Sequence, residues 1–382
     1  MPHPNYIKLY VETLPELIER QSEEIYQKLS TRLADGVLKE AGAIVMTGCG
    51  YSYAAAANAK EIIEHVANVP AYAPYSIEAS RHMELAVLPG GKNTIFVGVS
   101  GSGTVARIAE GIERFRAAGA YTVALTRNTH SRCAQQAETL LNIACPATAI
   151  PRAVPLREYT MALLAFYALA WRIAVLQGKK TEGERGRFYA EIADAARRLR
   201  TSLPKIEAQV SEFVRAVGDE VDHYELVGSG MGLVSAWLGR QELVGQAGVF
   251  GVECGAEDWL HSTFFVNHPE RIGTVLISPT NSPARSRLLE VERYMQYLKR
   301  PVCLLCGDGE TARTAAAGLY PVELPYTANE LMNPLLEVAP VSLLAGAVCE
   351  WIGEEYSRGF RDHWDFSKDG KATEFSKIVI IP

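Results

Sequence analysis

The sequence predicts an α/β protein with two doubly wound parallel sheets in tandem, each flanked by helices. Short, continuous apolar runs alternate with amphipathic helical stretches, a pattern typical of parallel strands covered on both faces. The same order of runs recurs in the second half of the chain. A turn rich in glycine follows the first strand of each half, and 382 residues are sufficient for two domains.

The composition excludes several classes of protein. Apolar residues make up 48% of the chain and charged residues 21%, as in an ordinary globular protein and unlike a disordered one. The net charge of −6 leaves no basic surface, so we expect neither a nucleic acid nor a membrane as partner. Seven cysteines in a chain that begins without a signal peptide predict reduced thiols and a cytoplasmic protein. No apolar run reaches the roughly 18 residues of a membrane span.

The pattern divides the chain into four segments. They are an N-terminal helical segment (1–40), a first α/β domain (41–182), a second α/β domain (183–357) and a C-terminal tail (358–382). In the first segment, apolar residues at helical spacing predict an amphipathic helix from Leu14 to Leu38, with Thr13 as its cap and Pro15 in its first turn. Those apolar residues are Leu17, Ile18, Ile25, Leu29 and Leu33.

The first domain contains the clearest strand pattern. Its apolar runs lie at 43–48, 94–100, 120–126 and 139–144. The segment 71–79 is a candidate for an additional strand between the first two runs. After the second run, Val105, Ile108, Ile112 and Phe115 fall on one face of a helix predicted at 103–118. A further helix is predicted at 157–178.

The second domain repeats this order at a displacement of about 180 residues. Its predicted strands lie at 224–230, 273–279, 301–307 and 320–325, after a helix at 188–217. The turn Gly48-Cys49-Gly50 matches Gly228-Ser229-Gly230 at the same displacement, which indicates an internal duplication. The segment 178–186, rich in glycine and charge, is the predicted join.

Two loops are candidates for ligand binding. In a doubly wound sheet, ligands bind beyond the carboxyl ends of the strands, where the strand order reverses. If 71–79 supplies a strand, the loops at 48–52 and 100–104 follow the first and third strands and border one crevice. Their glycines expose backbone amides, and their hydroxyls and the helix starts favour an anion. The alternative is that the hydroxyls cap the next helix and the glycines only ease a turn.

Cofactor and metal sites have weaker support in the sequence. The first glycine turn continues to Tyr53 where a dinucleotide fingerprint requires a third glycine, so we expect no nucleotide cofactor. Cys303 and Cys306 lie within an apolar run without a second cysteine pair, which favours a buried structural role over a zinc site. We therefore expect neither a cofactor nor a metal.

Three segments of the first domain resemble the sugar isomerase (SIS) domain. They are GCGYSYAAAANAKEIIE, NVPAYAPYSIEASR and VSGSGTVARIAEGI. The resemblance is strongest to the isomerase half of glucosamine-6-phosphate synthase and to fructosamine-6-phosphate deglycases, and it extends from about Leu38 to the end of the chain. It implies two flavodoxin-like SIS domains and a sugar phosphate held by the two loops. The implied binding residues are Cys49, Gly50, Tyr51, Ser52, Ser100, Gly101, Ser102, Gly103 and Thr104.

The loops depart from the family at two positions. Tyr51 stands where the family has threonine, and Thr104 lies one place before the family's threonine, where this chain has Val105. The anion is therefore a phosphate, as in the family, or a different group such as a sulfonate or a carboxylate.

The resemblance also implies three catalytic residues. Glu242 matches the proton-shuttling glutamate, His261 the ring-opening histidine that reaches the neighbouring subunit's site, and Lys377 the lysine that meets the open-chain carbonyl. Glu242 and His261 are 19 residues apart, a few more than in the family, and we expect the extra residues in a loop at 254–260. Without the resemblance, each residue has an alternative interpretation: Glu242 as a solvated residue on a helix, His261 as a hydrogen-bonded core histidine, and Lys377 as a surface lysine.

The sequence thus predicts a cofactor-free aldose–ketose isomerase of an anionic, phosphorylated sugar, acting as a homodimer with sites near the interface. A carboxylate and a histidine suit proton transfer between C1 and C2 and ring opening. Two alternatives stay open: a deglycase or deaminase of a phosphorylated amino sugar or fructosamine, and a non-catalytic sensor of sugar phosphates. The sequence alone does not separate them.

Overall fold

The computed structural model describes residues 5–150, 154–310, 318–355, 358 and 372–380. These residues form two compact units. The first unit comprises the described residues of 17–149, 155–192 and 362–382, and the second those of 1–16, 150–154 and 193–361. Each unit contains one five-stranded parallel sheet.

Eight of the ten strands in the described residues lie where continuous apolar runs occur in the sequence. They are β1 (Ala43–Thr47), β2 (Ala71–Tyr72), β3 (Thr94–Val99), β4 (Tyr121–Thr126), β5 (Thr139–Asn142), β6 (His223–Gly228), β7 (Gly251–Gly255), β8 (Ile272–Ile277), β9 (Val302–Gly307) and β10 (Leu319–Leu324). Most residues of the central strands are buried because helices cover both faces of a parallel sheet. The eight predicted strands are confirmed within two residues at each end, and the candidate strand in 71–79 is real but only two residues long.

Helices connect these strands. They are α1 (Tyr6–Arg32), α2 (Asp35–Lys39), α3 (Tyr51–Ala67), α4 (Ala106–Ala117), α5 (Arg132–Gln136), α6 (Leu156–Leu176), α7 (Glu182–Val217), α8 (Met231–Glu242), α9 (Ala256–His261), α10 (Arg285–Tyr297), α11 (Asn333–Ile352) and α12 (Ala372–Phe375). Short π-helical turns occur at Glu78–His82 and Leu243–Ala247, and 3-10 turns at Leu85–Val87, Gly91–Asn93, Thr263–Phe265, Pro269–Arg271 and Glu330–Met332.

Both sheets have the same topology. The first has the order β2-β1-β3-β4-β5 and the second the order β10-β9-β8-β6-β7, which is the same arrangement read from the other edge. All strand pairs are parallel. The repeated topology confirms the duplication predicted from the displacement of about 180 residues.

The start of α1 differs from the prediction. The helix begins at Tyr6, and Thr13 lies inside it with its hydroxyl donating to the carbonyl of Tyr10 at 2.7 Å. Asn5 precedes the helix, and its side-chain oxygen accepts the amide of Lys8 at 3.0 Å, which is an N-cap contact. Because Asn5 satisfies this amide, the helix starts earlier than Pro15 suggests. The helix also ends at Arg32, before the short α2, and its predicted apolar face is buried.

Three further predictions of local structure were wrong. Helix α7 begins at Glu182 rather than at residue 188, because Thr181 and Glu184 form a capping box. The Glu184 amide donates to the Thr181 hydroxyl at 3.2 Å, and the Thr181 amide donates to the Glu184 carboxylate at 2.9 Å. The segment 254–260 is not a loop. It contains the end of β7 and most of α9, because β7 pairs with β6 as β2 pairs with β1. Finally, α4 starts at Ala106 rather than at residue 103.

Two helices are long and apolar enough to cross a membrane, contrary to the expectation from the sequence. They lie at Leu156–Leu176 and Glu330–Ile352. In each case 83% of the apolar window is buried inside the structure, and the core helix of a soluble protein has the same length and composition. These helices are weak evidence for a membrane, because their apolar surface is already covered by protein.

Candidate functional site

The two candidate loops leave the same edge of the first sheet. Strands β1 and β3 are parallel neighbours, with Ala43 opposite Thr94 and Thr47 opposite Gly98. The loops 48–52 and 100–104 therefore begin side by side at the carboxyl ends of these strands. Strand β2 lies on one side of β1, and β3, β4 and β5 follow on the other, so the strand order reverses between the two loops. This is the position where doubly wound sheets bind ligands.

The first loop requires glycine at two positions. A Cβ at Gly48 would lie 2.5 Å from the carbonyl carbon of Ser52, because the start of α3 passes directly over the end of β1. Gly50 has a φ of +57°, which other residues rarely adopt, and it immediately precedes Tyr51, the first residue of α3. Hence the chain turns sharply into the helix, and the first amides of α3 are placed at the sheet edge.

The second repeat has the same turn. Gly230 has a φ of +55° and precedes α8, and a Cβ at Gly228 would overlap the carbonyl oxygen of Gly232. The matching glycines thus have matching conformations, which local sterics explain in both repeats.

Cys49 lies in the first loop with its side chain exposed. Its sulfur is 3.1 Å from the hydroxyl oxygen of Ser76. Desolvation raises the pKa of the Cys49 thiol, and the contact with Ser76 offsets part of this effect. A raised pKa favours the neutral thiol, which adds no negative charge that would repel an anion.

The second loop is held by Ser100 and Gly103. Ser100 is buried, and its hydroxyl accepts the amide of Gly103 at 3.0 Å. Gly103 has a φ of +71°, and a Cβ there would overlap the side chain of Ser131. Ser102 and Thr104 are half-buried, and their hydroxyl oxygens are 2.8 Å apart. Ser100 thus maintains the loop, whereas Ser102 and Thr104 leave hydroxyls near its surface.

The hydroxyls of this loop do not cap the following helix. The residue that precedes α4 is Val105, and no side chain forms a cap hydrogen bond there. Helix α3 likewise begins after Gly50 without a side-chain cap. The residues before the two helices, Gly50 and Val105, thus provide no side-chain cap, and the partial positive charge at two neighbouring helix starts attracts anions. This excludes the interpretation of the second loop as a simple helix cap.

Two charged residues from other elements lie next to the second loop. The amide of Arg127, directly after β4, donates to the carbonyl of Gly101 at 3.3 Å. Arg127 Nε is 4.0 Å from an oxygen of Glu158 in the first turn of α6. A Cβ at Gly101 would lie 3.9 Å from Cγ of Glu158. Our sequence analysis missed both residues, although Arg127 follows a predicted strand whose carboxyl end lies at the same sheet edge.

Lys377 belongs to the same unit as the two loops. Its side chain is exposed, and its carbonyl oxygen accepts a hydrogen bond of 2.7 Å from Nη2 of Arg107, the second residue of α4. The backbone at Lys377 is therefore tied to the helix that follows the second loop.

Glu242 and His261 lie in the second unit. Glu242 ends α8 with no exposed surface, and its carboxylate accepts the hydroxyl of Ser342 at 2.9 Å. This excludes the solvated surface position considered above. His261 is the exposed last residue of α9, whereas Trp259 is the core residue of that helix and donates to Glu225 at 2.8 Å. The core interpretation of His261 is thus wrong.

A second buried carboxylate lies on α11, which packs against α8. Glu337 accepts the hydroxyl of Tyr326 at 3.0 Å. Burial raises the pKa of Glu337 to about 7, and hydrogen bonds from the Ser235 and Tyr326 hydroxyls offset part of this effect. Sequence analysis missed this residue because it lies within a helix that is apolar on all sides. In the described part of the chain, no three His, Cys, Asp or Glu side chains form a group that could hold a metal ion.

Comparisons with known proteins agree with the fold. Residues 37–172 match the family model of the SIS domain. No curated protein matches the chain significantly. Among solved structures, the C-terminal domain of glucosamine-fructose-6-phosphate aminotransferase from Francisella tularensis is similar, with a TM-score of 0.78 at 15% identity. That alignment covers 92% of this chain and 98% of that chain.

Two further structures are similar at low identity. Tagatose-6-phosphate ketose/aldose isomerase from Escherichia coli has a TM-score of 0.68 at 13% identity, with 94% of this chain and 98% of that chain covered. Glucosamine-6-phosphate deaminase from Thermotoga maritima has a TM-score of 0.65 at 14% identity, with 91% and 96% covered. Residues 37–172 therefore match a SIS domain, and the chain has the tandem α/β fold of these structures.

Proposed function

We propose that this protein binds the phosphate of a phosphorylated sugar at the loops 48–52 and 100–104 and interconverts its aldose and ketose forms. The observation that carries the proposal is that α3 and α4 begin next to each other, without side-chain caps, where the strand order reverses. Backbone amides at two helix starts favour a dianion without any lysine or arginine in the loops. The hydroxyls of Ser52, Ser102 and Thr104 supply further neutral donors.

Glu242, His261 and Lys377 would perform the chemistry. His261 assists ring opening, and Lys377 meets the carbonyl of the open chain. The carboxylate of Glu242 removes the proton from C2 of the aldose, and the enediol takes this proton back at C1 while a hydroxyl proton passes from O2 to O1. The reaction is a redox-neutral isomerisation, and a carboxylate shielded from water suits such a transfer.

A homodimer in the cytoplasm is part of the proposal, with His261 reaching the partner's site. Exposed aromatic residues support self-association of the second unit: Phe265 is 72% and Tyr297 81% exposed. Phe265 follows α9, which ends at His261, and Tyr297 ends α10. Exposed aromatic surface of this kind often marks an interface. Mixing a His261→Ala variant with a Glu242→Gln variant tests this arrangement, because mixed dimers regain one intact site only if His261 acts across the interface.

The reaction is tested with a panel of hexose 6-phosphates and their 2-amino counterparts. We expect ketose formation from an aldose phosphate by the wild type and a loss on the order of 10²-fold or more in kcat for Glu242→Gln. Glu253→Gln is the matched control, because Glu253 lies in the same unit and pairs with Arg240 on α8 at 2.9 Å. Full activity of Glu242→Gln would refute the assigned role of this carboxylate.

The same panel separates the two alternatives. Release of ammonia or amine from an amino sugar phosphate or a fructosamine phosphate would assign a deaminase or deglycase. Tight binding of sugar phosphates by the wild type without turnover would assign a sensor. Isothermal titration calorimetry with inorganic phosphate, with sulfate and with sulfonated sugars identifies the anion that the loops bind. We expect Ser102→Ala to weaken phosphate binding about tenfold, since a hydrogen bond to a charged group contributes about 1.5 kcal/mol.

A further inference from the structure

A buried carboxylate on α4 takes no part in the loops or in the proposed chemistry. The side chain of Glu110 has no exposed surface. It pairs with two arginines: Oε2 is 2.7 Å from Nη2 of Arg81, and Oε1 is 2.9 Å from Nη2 of Arg107. Both arginine side chains are largely buried, at 15% and 23% exposure. A buried charge is costly unless it is paired, so this arrangement calls for a structural or functional reason.

All three side chains bind the C-terminal tail. The amide of Val379 donates to Oε1 of Glu110 at 2.8 Å, and Nη1 of Arg81 donates to the carbonyl of Val379 at 2.8 Å. Nη2 of Arg107 donates to the hydroxyl of Ser376 at 2.9 Å and to the carbonyl of Lys377 at 2.7 Å. We call Arg81, Arg107 and Glu110 the tail clamp. The clamp holds polar groups on both sides of Lys377.

The tail is also anchored by an apolar contact. Ile378 packs against the hydrophobic core of the first unit, which includes Phe96, Ile108 and Phe115. Lys377, the residue before Ile378, is exposed. The clamp and Ile378 thus hold the backbone on both sides of Lys377 and leave its side chain exposed.

The clamp connects the tail to the anion loop. Arg107 is the second residue of α4, whose uncapped start follows the loop 100–104. We propose that the tail clamp is a positioning device, in which Glu110 acts through Arg81 and Arg107 to hold Lys377 at the site formed by the two loops. This inference rests on the proposed function, because it requires that Lys377 acts on the bound sugar.

The test is a double-mutant cycle on turnover. Glu110→Gln keeps the shape of the side chain but removes its charge. We expect kcat to fall on the order of 10²-fold, the effect of misplacing a catalytic group by about 1 Å, with little change in KM because the phosphate loops are intact. In a Lys377→Ala background, Glu110→Gln should have no further effect on kcat, since Glu110 acts through Lys377. Additive losses would overturn the proposal and indicate a general structural role.

Three controls make the outcome decisive. Glu113→Gln changes a half-buried carboxylate on the same helix that takes no part in the clamp, and it should keep the wild-type rate. Amide hydrogen exchange of the C-terminal peptide should rise in Glu110→Gln, because the neutral amide accepts the Val379 hydrogen bond more weakly and no longer forms ion pairs with Arg81 and Arg107. Unchanged exchange would overturn the clamp. If Glu110→Gln does not fold, Arg107→Ala replaces it, because this change removes Nη2 and with it the contacts to Ser376, Lys377 and Glu110.

The result also separates this inference from the proposed function. An inactive Lys377→Ala with a fully active Glu110→Gln would overturn the clamp and leave the proposed role of Lys377 intact. A fully active Lys377→Ala would overturn the proposed role of Lys377, regardless of the amide hydrogen exchange measured for the C-terminal tail.

Discussion

Replacing Gly103 by alanine should damage the second loop far more than the same change at Gly101. At Gly103 the φ of +71° costs an alanine about 1–2 kcal/mol. Its Cβ would also overlap the side chain of Ser131, whose hydroxyl accepts the amide of Ala134 as the cap of α5, and the loss of such a cap costs about 1 kcal/mol. The lower entropy of the unfolded alanine chain returns about 0.5 kcal/mol, so we expect a loss of about 1.5–2.5 kcal/mol.

Gly101 is the matched control in the same loop. Its φ is not positive, and the nearest atom to an added Cβ is Cγ of Glu158 at 3.9 Å, an ordinary contact. Gly101→Ala should therefore change the free energy of unfolding by less than about 0.5 kcal/mol.

Urea and thermal unfolding followed by circular dichroism measure the stability of both variants, and titration with inorganic phosphate measures binding at the loop. Gly103→Ala should lower the midpoint of thermal unfolding by about 3–10 °C and weaken phosphate binding at least about tenfold. Equal stability of the Gly103 and Gly101 variants would refute the conformation deduced for this loop.

Three further predictions concern stability. The folded protein retains the proton of Glu337 between its unperturbed pKa of 4.5 and about 7, so stability should fall by about 3 kcal/mol in total as the pH rises through this range. Glu337→Gln should abolish this dependence when the free energy of unfolding in urea is measured at pH 5 and pH 8. An identical dependence in the variant would contradict the assignment. Glu225→Gln leaves the guanidinium of Arg300 buried without its carboxylate and should cost about 3 kcal/mol in urea unfolding, whereas a neutral effect would mean that water reaches the arginine. Asn5→Ala removes the acceptor for the Lys8 amide and should cost about 1 kcal/mol by the same measurement, and a gain in stability would argue against the cap.

The strands and the glycine turns were predictable because their causes are local. A strand buried on both faces needs an unbroken apolar run, and each of the eight runs predicted as strands is a strand in the structure. Gly48 and Gly50 are required by sterics within five residues of chain, so the same turn was visible again at Gly228 and Gly230. The adjacency of the two loops followed from the expected strand order alone.

Helix boundaries were predicted less well, because competing caps lie close together in sequence. Pro15 suggested a helix start at Leu14, yet Asn5 caps α1 eight residues earlier. The capping box of Thr181 and Glu184 is likewise present in the sequence, but the glycines and charges around it indicate a linker between the two domains. Segment 254–260 was assigned to a loop because its pairing with β6 depends on the sheet and not on its own short pattern.

The sequence by itself determined the two parallel sheets, the repeat and the glycine-rich loops, since burial periodicity and backbone sterics act over a few neighbouring residues. Only the tertiary structure decided which charges are buried and what they contact. Glu110 accepts a hydrogen bond from Val379, 269 positions away. Gly101 accepts one from Arg127, which follows the neighbouring strand, and Glu242 accepts one from Ser342 on another helix. A charge is stable in the interior only beside its partners, and the fold alone brings those partners together.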